Sequence, residues 1–536
     1  MASAYGLGSM RRNKEFRMIF FFSERTAPRR RRTLLRSAAC CVTLAFGTAN
    51  SWAIDKTTTT KPAAPDADAK KTAPTFTGQA ALLPADSITH QTLTVGAGKL
   101  SYTAHAGTLT LRDDKGDPTA RVFYVAYTLD GAPDDRRPVS FFFNGGPGGG
   151  SAFLNLGAAG PVALNFPAGN PTDGANAKLA PNPDSWLGAT DMVFIDAVGT
   201  GYSIPVKPED ANKTFYGTKQ DARAFAKAIE LWTSQFGRHA SPHYLVGESY
   251  GGIRSIEVAT ALQEQQNLIL NGIVMVSPAL EMKFLDPAAN PLAAAMLLPS
   301  LQAANLDGQH KLTPDAANEA YGYAFGPYLS ALAGPPPEGD AAHSFYADVA
   351  SRTGLDAGIV ARLRGAPDPQ AHDVRSRDGR LYSLYDGTLS IADPFPEGVD
   401  NSDSPDPVLF GFGRAYGSAF EGYASQTLGF HTELTYDLLN LNVNRAWDYR
   451  GDGELIASEI PALRKLLALN PTLRVFIANG YFDLVCPFAS SRWVAEHIPV
   501  GRDRIALHVY PGGHMLYTRP ATRTALSRDV KAFLAP

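Results

Sequence analysis

Tyr244-Leu245-Val246-Gly247-Glu248-Ser249-Tyr250-Gly251-Gly252 sets an apolar run of β character against a serine held between two glycines. Ile253 to Gln265, which follows, has the spacing of a helix. Gly-x-Ser-x-Gly on a strand-to-helix turn is a nucleophile elbow. Such a turn forces its serine into a strained backbone conformation, and only small neighbours let the strand and the helix approach closely enough. The hydroxyl then stands free above the sheet, with a helix N-terminus behind it to favour a developing anion. The bare pattern also occurs in turns without chemistry; the strand before it and the helix after it give it meaning.

Strands and helices alternate on both sides of this turn. Val139 to Phe143 is a continuous apolar run, as for a strand buried on both faces, and it ends in Asn144-Gly145-Gly146-Pro147-Gly148-Gly149-Gly150-Ser151. Met192 to Asp196 is a second such strand, Gln220 to Phe236 has helical spacing, and Leu270 to Val276 is a further strand. From His90 to Asp130 apolar residues alternate with polar ones between Gly and Asp turns, which predicts antiparallel hairpins. Between Met282 and Tyr449 the rhythm gives way to short helical pieces, Pro335-Pro336-Pro337 and a loop-rich part from His372 to Pro407. An insertion of this kind usually caps a site. The rhythm resumes with a helix over Ile460 to Leu469, strands over Arg474 to Ala478 and Ile505 to Tyr510, and a helix from Pro520 to Leu534. The pattern predicts an α/β-hydrolase fold, a mainly parallel central sheet flanked by helices. Its core falls in two parts, 86–281 and 450–536, with a helical or irregular cap over 282–449 inserted between the nucleophile and acid strands.

The 536 residues are 44% hydrophobic and 19% charged, ample material for a large core. A formal net charge of −3, with no sustained basic block beyond the N-terminal arm, argues against nucleic acid as a partner. Arg29 to Arg32 precede an apolar run from Ala38 to Phe46, and Ser51-Trp52-Ala53 offers the small residues of a cleavage site. Residues 1–53 therefore read as a secretory signal, and Arg31-Arg32-Thr33-Leu34-Leu35-Arg36 looks like a twin-arginine one. The apolar run is too short to span a membrane, so no stable anchor is expected, and the address is bacterial export to the periplasm or beyond. Residues 54–85 read as a disordered linker of Thr, Lys, Ala, Pro and Asp. Of three cysteines, Cys40 and Cys41 would leave with the signal. Cys486 alone remains, so no intrachain disulfide is expected.

A nucleophilic serine needs a base, and the base an orienting acid. In this fold the acid and then the histidine follow the serine along the chain. Asp483 comes after the strand in Ala478-Asn479-Gly480-Tyr481-Phe482-Asp483, where a loop presents it at the sheet's edge. His508 alternates within a strand and His497 ends a helical run. His514, in Pro511-Gly512-Gly513-His514-Met515, lies on a glycine-flexed loop and is the expected base. Asp196 also ends a strand but precedes the serine, so it is read as shaping its own loop. An oxyanion needs two N–H donors. Tyr250, after the serine, offers one, and the glycines after Phe143 offer the other. A phosphate cradle would want Gly-Lys-Ser/Thr, which that loop lacks.

Five motifs in order carry a family resemblance: Asn-Gly-Gly-Pro-Gly at 144–148, Asp196-Ala197-Val198-Gly199-Thr200-Gly201-Tyr202-Ser203, Gly-Glu-Ser-Tyr-Gly-Gly at 247–252, Asp483-Leu484-Val485-Cys486 and Gly513-His514-Met515. From about His90 to the C-terminus the chain resembles the serine carboxypeptidases. The resemblance implies a triad of Ser249, Asp483 and His514, with oxyanion donors at Gly146 and Tyr250. It also implies that Asn144 and Glu248 bind the substrate's C-terminal carboxylate, with Gly145 adding a backbone donor and Met515 lining the pocket. Peptides would be the substrates, losing C-terminal amino acids by way of an acyl-enzyme. The rivals are an esterase or acyltransferase on the same triad and a binding protein on an inactive fold. No cofactor is implied. The histidines lack ligand spacing, and Arg450 interrupts a calcium-like pattern over Asp448 to Glu459, so no metal is expected.

Glu248 has a chemical consequence. A carboxylate cannot donate a hydrogen bond, so it must be protonated to hold another carboxylate. Two carboxyls in contact share one proton at a raised apparent pKa. Peptide acids should therefore bind best at acidic pH, while esters tolerate higher pH. The chain also departs from the family. Ala158 stands where a glutamate usually partners the elbow Glu, Gly149 where a half-cystine is common, and Ala197 where Gln-Pro is expected. Cys486 is expected as a small buried packing group, and Tyr321, Tyr323, Phe325 and Tyr328 as the cap's own core.

Overall fold

A computed structural model describes residues 76–132, 136–167, 173–288, 290–398, 404–450 and 458–535. The expected signal and the first part of the expected linker, to residue 75, lie outside these, as do residues 451–457 of the calcium-like stretch. The linker does not extend to 85. Gly78–Leu82 forms a 3-10 turn with Ala80 and, beyond it, Leu83 buried. The Arg121 guanidinium donates to the carbonyls of Ala80, Leu83 and Pro84 at 2.9, 2.8 and 3.1 Å and sits 5.0 Å from the Phe76 ring. One fork of donors thus satisfies three carbonyls of a piece that looks polar and loose in sequence.

The main sheet runs through β1 (Ser87–Val95), β2 (Gly98–Arg112), β3 (Pro118–Leu129), β4 (Val139–Phe143), β5 (Asp191–Ile195), β6 (His243–Glu248), β7 (Gly272–Val276), β8 (Arg474–Gly480) and β9 (Ile505–Tyr510). Their order is β1-β2-β3-β5-β4-β6-β7-β8-β9, with Ile204–Pro205 added beside β3. From β5 to β9 every pairing is parallel; β1, β2 and β3 pair antiparallel and join the rest through β5. Every residue of β4, β5, β6 and β7 is buried, which is why these segments are mainly apolar rather than alternating. Among the longer helices are α1 (Thr218–Gln235), α2 (Gly251–Gln265), α3 (Pro291–Gly308), α4 (Pro314–Tyr323), α5 (Gly339–Thr353), α6 (Ala415–Gln426), α7 (Ile460–Leu469), α8 (Phe488–His497) and α9 (Pro520–Leu534). The parallel register aligns Phe143 with Gly247, Glu248 with Val276, Val276 with Ala478, and Gly480 with Tyr510. The loops that begin at Asn144, Asp196, Ser249, Ser277, Tyr481 and Pro511 therefore leave from one edge, the carboxyl ends of the strands, where sites form in such sheets.

The insertion differs from the expected short pieces. α3 is 18 residues long with Pro299 inside it, and α5 is 15. Ala294, Leu298, Tyr328, Val349 and Val360 close a separate small core. The loop-rich part contains a three-stranded sheet of Ser376–Arg377, Arg380–Tyr382 and Ser390–Ala392. From Pro407 onward the insertion joins the main core, unlike the separate cap expected over 282–449. Phe412, Tyr416, Phe420 and Tyr423, spaced to share one helical face, pack into the main core.

Candidate active site

Ser249 follows β6 with φ at 62°, the left-handed strain expected of an elbow. A β-carbon at Gly247 would lie 2.1 Å from the Gly251 carbonyl oxygen and 2.4 Å from Ser255 Oγ, so strand and helix meet backbone to backbone. The turn is pinned to the end of β7: Ser249 N–H donates to Val276 at 3.0 Å, and Ala279 N–H donates to Ser249 at 2.9 Å. Gly145 packs as closely on the other side, where a β-carbon would come 2.5 Å from the Tyr250 nitrogen. Among the described residues, neither the Gly146 nor the Tyr250 N–H is committed to a backbone acceptor. Both remain available to an oxyanion.

His514 Nδ1 lies 2.8 Å from Asp483 Oδ2, and both side chains are buried. The other carboxylate oxygen accepts from the Val485 and Cys486 N–H groups at 2.9 and 2.8 Å. Each oxygen of the acid therefore has its own task. Burial alone would lower the His514 pKa, but the carboxylates around it, Asp483 foremost and then Glu248 and Asp406, together raise it. The main chain around His514 is held on two sides. Its N–H donates to Tyr385 at 2.6 Å, and its carbonyl accepts from Ser277 Oγ at 2.8 Å. A strap from the insertion, Ser383 to Leu389, supplies the first of these contacts. The Leu384 carbonyl accepts from Leu484 N–H at 3.1 Å, Gly387 N–H donates to Phe482 at 2.9 Å, and Arg519 bonds Asp386 at 3.0 Å.

Asn144 Nδ2 donates to Glu248 Oε2 at 2.6 Å, one residue from the serine. Tyr517 Oη lies 3.0 and 2.9 Å from the two Glu248 oxygens. Burial pushes the Glu248 carboxyl up to about 7, against the lowering effect of His514 and these donors. Asn144 is itself positioned: its Oδ1 accepts from Leu154 N–H at 3.2 Å, and its carbonyl accepts from Arg254. Arg254, buried in α2, also donates to Asp221 of α1 at 2.6 Å and faces the Phe225 ring at 4.9 Å.

Ser249, Asp483, His514, Gly145, Gly146, Tyr250, Asn144 and Glu248 thus lie on loops from adjoining strand ends. Met515 sits in the main core, its carbonyl held by the Thr518 N–H and hydroxyl, with no hydrogen bond to Asn144 or Glu248. Asp196 accepts from Ser151 N–H and Oγ, Tyr202 N–H and Tyr436 Oη, which fixes its loop to the glycine loop. His508 stacks on Phe476 and His497 on Trp493, away from the serine's loop. Cys486 is buried, and burial raises its thiol pKa well above the ordinary value. Tyr517, Arg254, Ser277 and the Tyr385 strap escaped the sequence reading. Arg254 had one signal, a charge between Ile253 and Ile256 in the otherwise uncharged first turn of α2.

A strained serine between a parallel strand and a helix, with the Asp483 and His514 loops leaving later strands of the same sheet in that order, gives this chain the α/β-hydrolase fold. The family model described as serine carboxypeptidase matches residues 96–307, a span that holds the glycine loop and the elbow. The resemblance read from the motifs is therefore to the family found by comparison. Serine carboxypeptidase-like 36 of Arabidopsis thaliana is 23% identical over 413 residues, 74% of this chain and 72% of that one. Serine carboxypeptidase-like 8 of the same plant is 27% identical over 211 residues, 37% of this chain and 45% of that one. Carboxypeptidase sxa2 of Schizosaccharomyces pombe is 29% identical over 161 residues, 28% of each chain. The match thus spans less than half the length of the latter two relatives. Among solved structures, esterase E22 aligns at 13% identity with a TM-score of 0.36, over 81% of this chain and 99% of that one.

Proposed function

We propose that the protein is a serine-type carboxypeptidase that removes C-terminal amino acids from peptides. The observation that carries this reading is the buried Asn144–Glu248 pair, 2.6 Å apart and adjacent to the nucleophile. An amide donor beside a carboxyl that keeps its proton to about pH 7 suits a substrate carboxylate. With Nδ1 of His514 donated to Asp483, Nε2 is the basic nitrogen. Ser249 Oγ attacks the last peptide carbonyl as His514 takes its proton, and the N–H groups of Gly146 and Tyr250 receive the oxyanion. His514 then protonates the departing amine, and water, deprotonated by the same histidine, releases the acyl group. We further propose export through the N-terminal signal, which rests on sequence alone.

A second reading is an esterase or acyltransferase on the same triad. It is favoured by Ala158, which leaves Glu248 without the family's second carboxyl. The test compares an N-blocked dipeptide acid, its C-terminal amide and an aryl ester, with Ser249→Ala as control. Preference for the acid, lost in the variant, supports the carboxypeptidase. Ester cleavage without peptide cleavage moves the function to esterase or acyl transfer.

A further inference from the structure

We propose that Tyr517 is a positioning residue standing in for the second carboxyl: its hydroxyl holds Glu248 by both oxygens and so decides up to what pH the subsite accepts a C-terminal carboxylate. The proposal rests on the carboxypeptidase reading for its substrate, but its geometry is independent of it. The Tyr517 ring lies against Gly157, beside Ala158, on the segment where the second carboxyl would stand. A β-carbon on Gly157 would be 2.3 Å from Tyr517 Cε2 and 2.7 Å from Cδ2. The phenol has one proton, shared between Glu248 oxygens at 3.0 and 2.9 Å.

The exchange of partner reverses the chemistry. A second carboxyl would favour the shared proton, whereas a neutral donor favours the ionised carboxylate. Tyr517 and Asn144 both act in that direction on Glu248. The other groups that face Glu248 are His514 and Asp483 of the proposed triad, the phenols of Tyr385 and Tyr416, and the Cys486 thiol. Burial pushes all three of these last groups above their ordinary pKa, so they are neutral over the working range. Tyr416 Oη is buried with no hydrogen-bond partner among the described residues, so it does not compete for the carboxyl. The chain therefore has one carboxyl, tuned by one phenol, where the family uses a pair.

Tyr517→Phe keeps the ring against Gly157 and removes only the donor. Two measurements on the full chain test the proposal: kcat/KM for a blocked dipeptide acid and for an aryl ester over roughly pH 5 to 9, and the infrared titration of the Glu248 carboxyl, assigned with Glu248→Gln. In the Phe variant the alkaline limb for the acid and the infrared midpoint should both rise by about one pH unit. The ester's acid limb, set by His514, should move less and in the opposite direction, because a Glu248 that keeps its proton supports the imidazolium less. An infrared midpoint that stays put or falls overturns the proposal. A midpoint that rises, in a protein whose acid and ester profiles coincide, supports the tyrosine's role and removes the carboxypeptidase reading instead.

Discussion

Ser277 Oγ donates a 2.8 Å hydrogen bond to the carbonyl of His514. Ser277 is the residue after Val276, which accepts the N–H of Ser249, so one strand end holds both the Ser249 turn and the His514 loop. Ser277→Ala should lower kcat for an aryl ester by about tenfold or more, with little change in KM, because a small displacement of the base costs rate rather than binding. Steady-state kinetics checks this. An equal change in KM alone would speak against it.

Asp483→Asn separates orientation from charge. Oδ1 is committed to the Val485 and Cys486 N–H groups, so the asparagine must keep its oxygen there and turn its amide donor toward His514 Nδ1. That stabilises the wrong histidine tautomer. The expected loss in kcat is about 10⁴-fold with the fold intact, read from single-turnover rates and circular dichroism.

Arg254 is buried under the glycine loop with Asp221 as its partner. Burial raises the Asp221 pKa against the pull of Arg254, so losing the arginine leaves an expensive carboxylate. Arg254→Met should cost about 3–5 kcal/mol in urea unfolding. Arg254→Met combined with Asp221→Leu should cost less than the single change. Equal losses would mean the pair does not act as a pair.

Glu248 makes stability depend on pH. Its carboxyl moves from 4.5 to about 7 on folding, chiefly through burial. Between those values the native state keeps a proton that the unfolded chain gives up, so its contribution to stability falls as pH rises through that window. The total is on the order of 3 kcal/mol. Relative to Glu248→Gln, the wild type should lose stability from acid to neutral pH and level off above it, as read from thermal unfolding at each pH. A flat difference would show that the carboxyl is not raised.

The parallel half of the sheet was legible because β4 to β7, buried on both faces, are mainly apolar rather than alternating, and because glycines mark close backbone approach at the elbow. The proposed triad residues were legible because chain order narrows the candidates to Asp483 and one glycine-flanked histidine. The supporting contacts were not. Ser277 and Tyr517 act through tertiary bonds to His514 and Glu248, 237 and 269 residues away, and no local pattern announces such bonds. The linker boundary was misread because Arg121, far along the chain, supplies the contacts that hold Ala80 to Pro84. Ala158 showed that a partner of Glu248 was missing, but not that a phenol from beyond His514 would replace it.

The strap from Ser383 to Leu389 bonds the loops of both Asp483 and His514. Part of the insertion is therefore bonded to both loops of the proposed triad. The insertion is not an exchangeable module. A graft that swapped it whole to import another specificity would unseat His514, whereas one confined to the α3–α5 cluster would leave the strap in place. The backbone carbonyl of Tyr385, which accepts the His514 N–H, is the point at which the insertion and the His514 loop are joined.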